Sequence, residues 1–394
     1  MKRREGLEFF IAFAVAAMLL LDISRLDSSV YNNYVRLAQA FLHGHAWIVW
    51  PGEYIDAVAY NGHRYVIEGP VPAILMIPLV ALFGMHANQT AFACVSAAIA
   101  TGAAWLVARR MGASIAISCA TTAFFLIGTP LAWCAMYGAV WYAAHTVSVM
   151  FATFAVVELL GKRRAWLVAL LIVLATGSRF TCILALVPLV PYAVMMQPKA
   201  RRLPAIGALA AVLVPSAAAY VAYNYARWGV PSDIGYLTWY HQDQIGESTG
   251  SPFRLDYFTY EVQAFFGTLP ELAKKYPYVK PDYGAVSIEI TSPALVLAFF
   301  AWGRWPLVAT LWAATLLVAG PSFVYYANGG AQWGMRHMLD FTPLLWPLIV
   351  MGAQRVQTWV AYTLCGISVL VGIWGLWYWR TFYDTFLVHK AYGG

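Results

Sequence analysis

The sequence predicts an all-α polytopic membrane protein, a bundle of about ten to twelve transmembrane helices whose long first external loop bears amphipathic helices. Three observations predict it. Of 394 residues, 61% are hydrophobic and only 11% charged, with a mean hydropathy of +0.63, whereas soluble domains carry roughly 25% charged residues. Apolar runs recur from residue 8 to residue 379, continuous rather than alternating, which argues against a β-barrel. The basic residues gather in short clusters between the runs: "KRR" at 2–4, "RR" at 109–110, "KRR" at 162–164 and "KARR" at 199–202. That is the positive-inside pattern, so the formal charge of +7 reports topology and predicts no nucleic-acid partner.

A membrane span needs about 17 to 25 apolar residues. The runs at 8–24, 88–108, 115–134, 139–160, 204–225, 307–327 and 358–379 qualify, and those at 71–84, 292–303 and 339–353 are shorter. The opening "MKRREGLEFFIAFAVAAMLLLDIS" lacks a small-residue cleavage site and reads as a retained first span. Residues 165–196 are too long for one span, and "TGSRFT" in their middle predicts two short helices. With the basic clusters cytoplasmic, 71–84 has the wrong parity for a full crossing, and Pro70, Pro72 and Pro78 lie at or in it. A re-entrant or half-depth helix reconciles the count. The five cysteines are scattered in apolar stretches without metal or disulfide spacing.

Two external segments are long. In residues 25–70, Val30, Tyr34, Leu37, Ala38 and Phe41 recur at helical spacing up to Gly44, predicting an interfacial amphipathic helix. Residues 226–290 are rich in Tyr and Trp. The expected organisation is an N-terminal transmembrane module over 1–225 including the first loop, a second external loop over 226–290, and C-terminal helices over 291–394.

Ionisable groups at membrane depth cost several kcal/mol unless paired, so each is a candidate for function. The first loop offers Asp27, Glu53, Asp56 and Glu68, with Asn61 and Arg64 nearby, and a carboxylate there can deprotonate an incoming hydroxyl. His145 sits inside an apolar run, where an imidazole bonds either a phosphate or a backbone carbonyl. Arg179, between two short helices, suits an anionic headgroup or serves as an interfacial anchor. Arg336, His337 and Asp340 stand at the mouth of the 339–353 run, and on one α-helix Arg336 and Asp340 would share a face and pair. Planar arginine then keeps donors for phosphate oxygens, and glycines 329, 330 and 334 let backbone approach a ligand.

Seven stretches, taken together and in order, resemble a known family: "YNNYVRLAQAFLHG", "DAVAYNGHRYVIEGPVPAILMIPLVALFG", "GAVWYAAHTVSVMFA", "RRAWLVALLIVLATGSRF", "YNYARWGVPSDIGY", "TSPALVL" and "GGAQWGMRHMLDFTPLL". They look like the bacterial relatives of protein mannosyltransferases and of the lipid A aminoarabinose transferase, integral-membrane glycosyltransferases of the GT-C fold. The resemblance runs along nearly the whole chain, though each motif alone is loose. It implies a GT-C bundle in the bacterial cytoplasmic membrane that moves a sugar from a polyprenyl-phosphate carrier to an extracytoplasmic acceptor with inversion, needing no bound metal. It implies a first-loop acid as base. Counting back from Gly44 to where the family carries that acid lands on Val30; Asp27 is three positions earlier, and Asp56, within "DAVAYNG", is favoured over it. Arg179 and Arg336 match the family's basic residues and would hold the carrier phosphate with His145. Tyr60, Tyr65, Trp239 and Tyr240 would stack on sugar faces. A lipid-linked sugar flippase reusing the same arginines, or a non-catalytic assembly protein of surface-polymer synthesis, are the alternatives.

Overall fold

The computed structural model describes residues 3–27, 29–49 and 57–382. The chain begins with α1 (Arg3–Ser24), and the segment expected as the first external loop follows, holding helix α2 (Asn33–Leu42) and a hairpin of β1 (Val58–Tyr60) and β2 (His63–Tyr65). Apolar Tyr34, Leu37 and Ala38 are the buried face of α2, as their spacing requires, and Gly44 follows its end at φ +79°. The "NG" at 61–62 has positive φ at both residues, the two-residue turn that joins β1 to β2. Short α3 (Val71–Phe83) then leads to α4 (Gln89–Arg110). Glu5 and Glu8 of α1 pair with Arg110 and Arg109 of α4, each at 3.1 Å, so the two helices run antiparallel with one basic cluster beside the N-terminal end.

The next run is broken into α5 (Ile115–Ile127) and α6 (Leu131–Tyr137), bent by 46°. Helix α7 (Val140–Leu160) is the centre of the bundle, and α8 (Ala165–Thr176) packs on it. As "TGSRFT" predicts, the 165–196 run divides: α8 stops at Gly177, a 3₁₀ turn covers Phe180–Ala185, and α9 (Leu186–Met195) completes it. Helix α10 (Lys199–Trp228) is 30 residues long and packs on α8, with its apolar middle exposed or half-buried. It continues three residues past the expected boundary at 225.

The segment expected as the second external loop is built of α11 (Gly235–Gln242), α12 (Phe258–Phe266) and a small ladder of β3 (Glu271–Leu272) with β4 (Val279–Lys280). The chain returns through the single turn α13 (Ile288–Thr291) and a 3₁₀ segment at Pro293–Phe300. It closes with α14 (Trp305–Ala319), a 3₁₀ turn at Gly320–Phe323, another at Arg336–Asp340, α15 (Thr342–Ala353) and α16 (Thr358–Phe382). Among the described residues six helices are long and apolar enough to cross a membrane, a seventh if the bent pair is one span, and four further apolar helices are shorter. The protein is a multi-pass, all-helical membrane protein. The short apolar runs of the expected bundle, 71–84, 339–353 and the two halves of 165–196 among them, fold as half-length helices broken by Gly, Pro and 3₁₀ turns.

Candidate active site

A cavity of about 750 Å³ lies where the two external segments meet the ends of the short helices. The floor comes from the broken 165–196 run and from 328–340, whose backbone turns with positive φ at Gly329, Gly330 and Gly334. Arg179, Arg336 and His337 line it, and Glu68 of the first external segment lines it as well.

Residues Arg336–Asp340 form a 3₁₀ turn, in which residues three apart eclipse and residues four apart do not. The pairing expected between Arg336 and Asp340 therefore gives way to another. Asp340 accepts hydrogen bonds from Nε and Nη2 of Arg179 at 3.1 and 3.0 Å and from the Thr181 hydroxyl at 3.0 Å. Nδ1 of His145 lies 3.0 Å from Oδ1 of Asp340. Asp340 and His145 are wholly buried beneath the cavity. His145 does not line the cavity, and its ring lies 5.8 Å from that of His337, which does. Burial first, then Arg179 and Arg336, hold the His337 imidazole well below its ordinary value, so it stands neutral.

Arg336 is placed separately. Its guanidinium lies over the Tyr142 ring at 5.3 Å and its Nη1 donates to the Ala331 carbonyl at 3.4 Å, while the Tyr142 hydroxyl donates to the same carbonyl at 2.6 Å. The hub of this turn is Gln332, fully buried, whose amide donates to the carbonyls of Gly284 and Asn328 at 2.6 and 2.8 Å and accepts from the Arg336 N–H at 3.2 Å. Sequence reasoning passed over Gln332; a neutral amide in an apolar motif was the available signal.

Glu68 reaches Arg179's neighbourhood through backbone. The Val71 N–H donates to the Gly177 carbonyl at 2.8 Å, and a Cβ on Gly69 would lie 2.2 Å from that same oxygen. Only glycine permits the approach, which brings "EGPVP" against "TGSR".

The remaining predicted residues lie elsewhere. Asp27 does not line the cavity; it pairs with Arg380 at 2.6 Å. Asp56 and Glu53 lie outside the described residues. Asn61 and Arg64 are exposed on the hairpin. Tyr60 and Tyr65 pack on Trp228, with ring centroids 5.4 and 5.0 Å away, and Tyr240 is fully buried, so these three are packing residues and not stacking platforms in the cavity. Trp239 does line it, together with Asp233 and Asp243 of the second external segment, both of which sequence reasoning missed. Asp233 is engaged: it accepts from Arg227, the Trp228 indole and the Gly235 N–H at 3.1, 3.1 and 2.9 Å. Among the described residues no group of three or more His, Cys, Asp or Glu side chains is placed to hold a metal ion.

No protein-family model matches the sequence, and no curated protein matches it. The fold does match solved structures. It is similar to the crystal structure of ArnT from Cupriavidus metallidurans bound to undecaprenyl phosphate, with a TM-score of 0.55 and 15% identity over 88% of this chain and 60% of that one. It is similar also to apo ArnT from the same organism, with a TM-score of 0.54 and 13% identity over 98% of this chain and 78% of that one. The chain spans 60% of the length of the carrier-bound ArnT chain. The fold is GT-C-like.

Proposed function

We propose that the protein is a membrane glycosyltransferase that moves a sugar from a polyprenyl-phosphate carrier to an extracytoplasmic acceptor with inversion. The observation that carries this reading is the cavity in which two arginines of the bundle, Arg179 and Arg336, meet a carboxylate of the first external segment, Glu68. The likeness to an ArnT structure that holds undecaprenyl phosphate supports the carrier class.

The chemistry divides between the two sides. As the bond between the anomeric carbon and the phosphate oxygen breaks, its electron pair goes to the phosphate, and the developing charge is met by Arg336 and Arg179, with neutral His337 offering a ring N–H. Asp340 holds Arg179 in place from below, aided by His145. The acceptor oxygen bonds the anomeric carbon from the opposite face and passes its proton to a first-loop carboxylate. Glu68 fits that role among the described residues; Asp56 is the other first-loop acid proposed for it. No bound cofactor enters this scheme, since the arginines supply the positive charge.

Orientation follows from the basic clusters. Lys199–Arg202 begin α10 while Tyr220, near its other end, lines the cavity; Trp141 lines it at the start of α7 while the 162–164 cluster follows that helix's end. That the cavity lies at the end away from the positive charge supports an extracytoplasmic site in a bacterial cytoplasmic membrane. In this scheme 1–225 supplies most of the carrier site, 226–290 covers it, and 291–394 closes it from behind with Arg336.

The test is incubation of the purified chain in lipid nanodiscs with undecaprenyl-phosphate sugars and candidate acceptors, followed by mass spectrometry of free undecaprenyl phosphate. Acceptor-dependent release with inverted anomeric configuration is expected. A protein that binds none of the carriers, or a product of retained configuration, rules the reading out.

A further inference from the structure

One wall of the cavity is built for something other than an anion. Trp239, Asp243 and Gln244 from α11 and the chain just after it line it, together with Tyr325 and Tyr326. Asp243 is held on several sides. The Tyr326 hydroxyl donates to its Oδ2 at 2.6 Å, its own N–H donates to the Trp239 carbonyl at 2.8 Å, and its carbonyl accepts from the Gly246 N–H at 3.1 Å. Tyr326 is itself fixed, edge-on against the buried Tyr240 ring at 4.9 Å and bonded through its N–H to the Pro252 carbonyl at 3.0 Å. The Tyr240 hydroxyl in turn shares a hydrogen bond with that of Tyr257 at 2.8 Å. Gln242, one residue before, clasps both backbone groups of Ala59 at 3.1 and 2.8 Å, which ties this end of α11 to the first-loop hairpin.

The result is a pre-set carboxylate next to a primary amide and flanked by indole and phenol rings. Each class of ligand can be weighed against that. A second anionic group is repelled by the carboxylate. An isoprenoid tail would leave the carboxylate and the amide desolvated without partners, at a cost of a few kcal/mol. A saccharide satisfies all of it: its vicinal hydroxyls donate to the carboxylate, donate to and accept from the amide, and its C–H face lies on an aromatic ring. Tyr236 of α11 and Asp243 at its C-terminal cap both line the cavity seven residues apart, about 10 Å at the helical rise of 1.5 Å per residue. This wall is therefore long enough to seat an acceptor ring beside the donor sugar.

We propose that Trp239, Asp243, Gln244 and the Tyr325–Tyr326 pair form an acceptor subsite for a saccharide, either a free glycan or the sugar headgroup of a glycolipid. The proposal rests on the transferase reading above for its name as an acceptor site, while the binding it asserts is measured independently of turnover.

The experiment uses the full chain in lipid nanodiscs with four probes: undecaprenyl phosphate, a panel of neutral di- to tetrasaccharides in solution, the same saccharides as glycolipids in the nanodisc, and Ser/Thr-containing peptides. Saccharide affinity is expected to fall about tenfold or more in Trp239→Ala and in Asp243→Asn, and less in Tyr326→Phe, which removes only the bond that orients the carboxylate. Undecaprenyl phosphate affinity should stay within about twofold of wild type in all three. Binding in the solution arm identifies a free glycan, and binding confined to the nanodisc arm identifies a glycolipid. The proposal is overturned if no saccharide in either arm distinguishes wild type from Trp239→Ala, or if peptides do so in their place. Loss of undecaprenyl phosphate binding by the wild-type chain would instead strike the transferase reading and leave the saccharide result legible.

Discussion

Arg179 and Asp340 stand 161 positions apart in the chain and meet as a buried, two-point ion pair, Nε and Nη2 on the carboxylate at 3.1 and 3.0 Å. The pair joins the break between α8 and α9 to the turn before α15. It costs desolvation of both groups, so its gain over an apolar pair is small, but loss of one member strands the other. Asp340→Asn or Asp340→Ala is therefore expected to lower folding stability by roughly 3–5 kcal/mol. The double change Arg179→Met with Asp340→Leu should recover much of that loss while still abolishing carrier binding. Thermal unfolding followed by size-exclusion chromatography in detergent reads the first effect, and undecaprenyl phosphate titration the second. A loss in the double variant equal to the sum of the losses of its two single changes would show the two groups to be independent.

Arg336 serves a different end. It rests on Tyr142 and the Ala331 carbonyl, at the cavity and not within the Asp340 cluster. Its truncation should leave the fold near wild type and weaken undecaprenyl phosphate binding by about 1.5–3 kcal/mol, the worth of a hydrogen bond to a charged group. Lysine at 336 should rescue only in part, since it offers a point charge in place of a planar fork. Unchanged affinity in Arg336→Ala would remove this residue from the phosphate site.

The first-loop acids separate by place. Glu68 lines the cavity, whereas Asp27 pairs with Arg380 outside it. Glu68→Gln is expected to lower turnover by about 100-fold or more, the lower range for loss of a general base, with carrier binding retained. Asp27→Asn should keep turnover near wild type. Measured rates of sugar transfer at saturating carrier decide it; a silent Glu68→Gln beside an inactive Asp56→Asn would assign the base to Asp56.

Much of this was legible in the sequence, for a physical reason. Apolar run length and basic clusters are local signals, and they placed the spans, the break at "TGSRFT" and the amphipathic face of α2. Arg179, Arg336 and His337 stood out because charge or polarity near an apolar run is conspicuous. The partner of Asp340 did not, because four-residue spacing implies an α-helical pair and nothing local signals that 336–340 winds as a 3₁₀ turn. Asp243 and Gln332 were equally silent. One sits in an ordinary-looking polar loop and the other is a neutral amide, and only tertiary contacts with Tyr326 and with the Gly284 carbonyl give them a role.

Glu261 on α12 predicts a pH dependence. Its side chain is 1% exposed, and neither carboxylate oxygen has a hydrogen-bond partner among the described residues. Burial pushes its carboxyl from 4.5 up to about 8. The folded form thus holds a proton that the unfolded form has lost, so this contribution to stability is full below about 4.5, drains away as pH rises toward 8 and is absent above. Glu261→Gln cannot ionise and should lack that slope. Its melting temperature relative to wild type is expected to climb as pH is raised from about 5 to about 9, and a constant difference across that range would mean that the wild-type acid is already ionised.

Gly69 governs how close the first external segment comes to the bundle. A methyl group there would lie 2.2 Å from the Gly177 carbonyl oxygen and 2.5 Å from its carbon, backbone atoms that no rotamer change can move aside. The strand of chain that carries Glu68 must then retreat from the segment that carries Arg179. Because productive geometry tolerates displacements of only about 0.5 Å, turnover should suffer more than binding: a fall in kcat of about 100-fold, with undecaprenyl phosphate affinity reduced far less, since both arginines stay on the bundle. Gly44 offers a control in the same segment, because a Cβ there meets nothing within 4 Å; its positive φ makes Gly44→Asn, a residue that tolerates this conformation, the suitable exchange. Steady-state kinetics on the two variants should show a large loss for Gly69→Ala and little for Gly44→Asn. Comparable losses would trace the effect to general loosening of the external segment and not to the distance between Glu68 and Arg179.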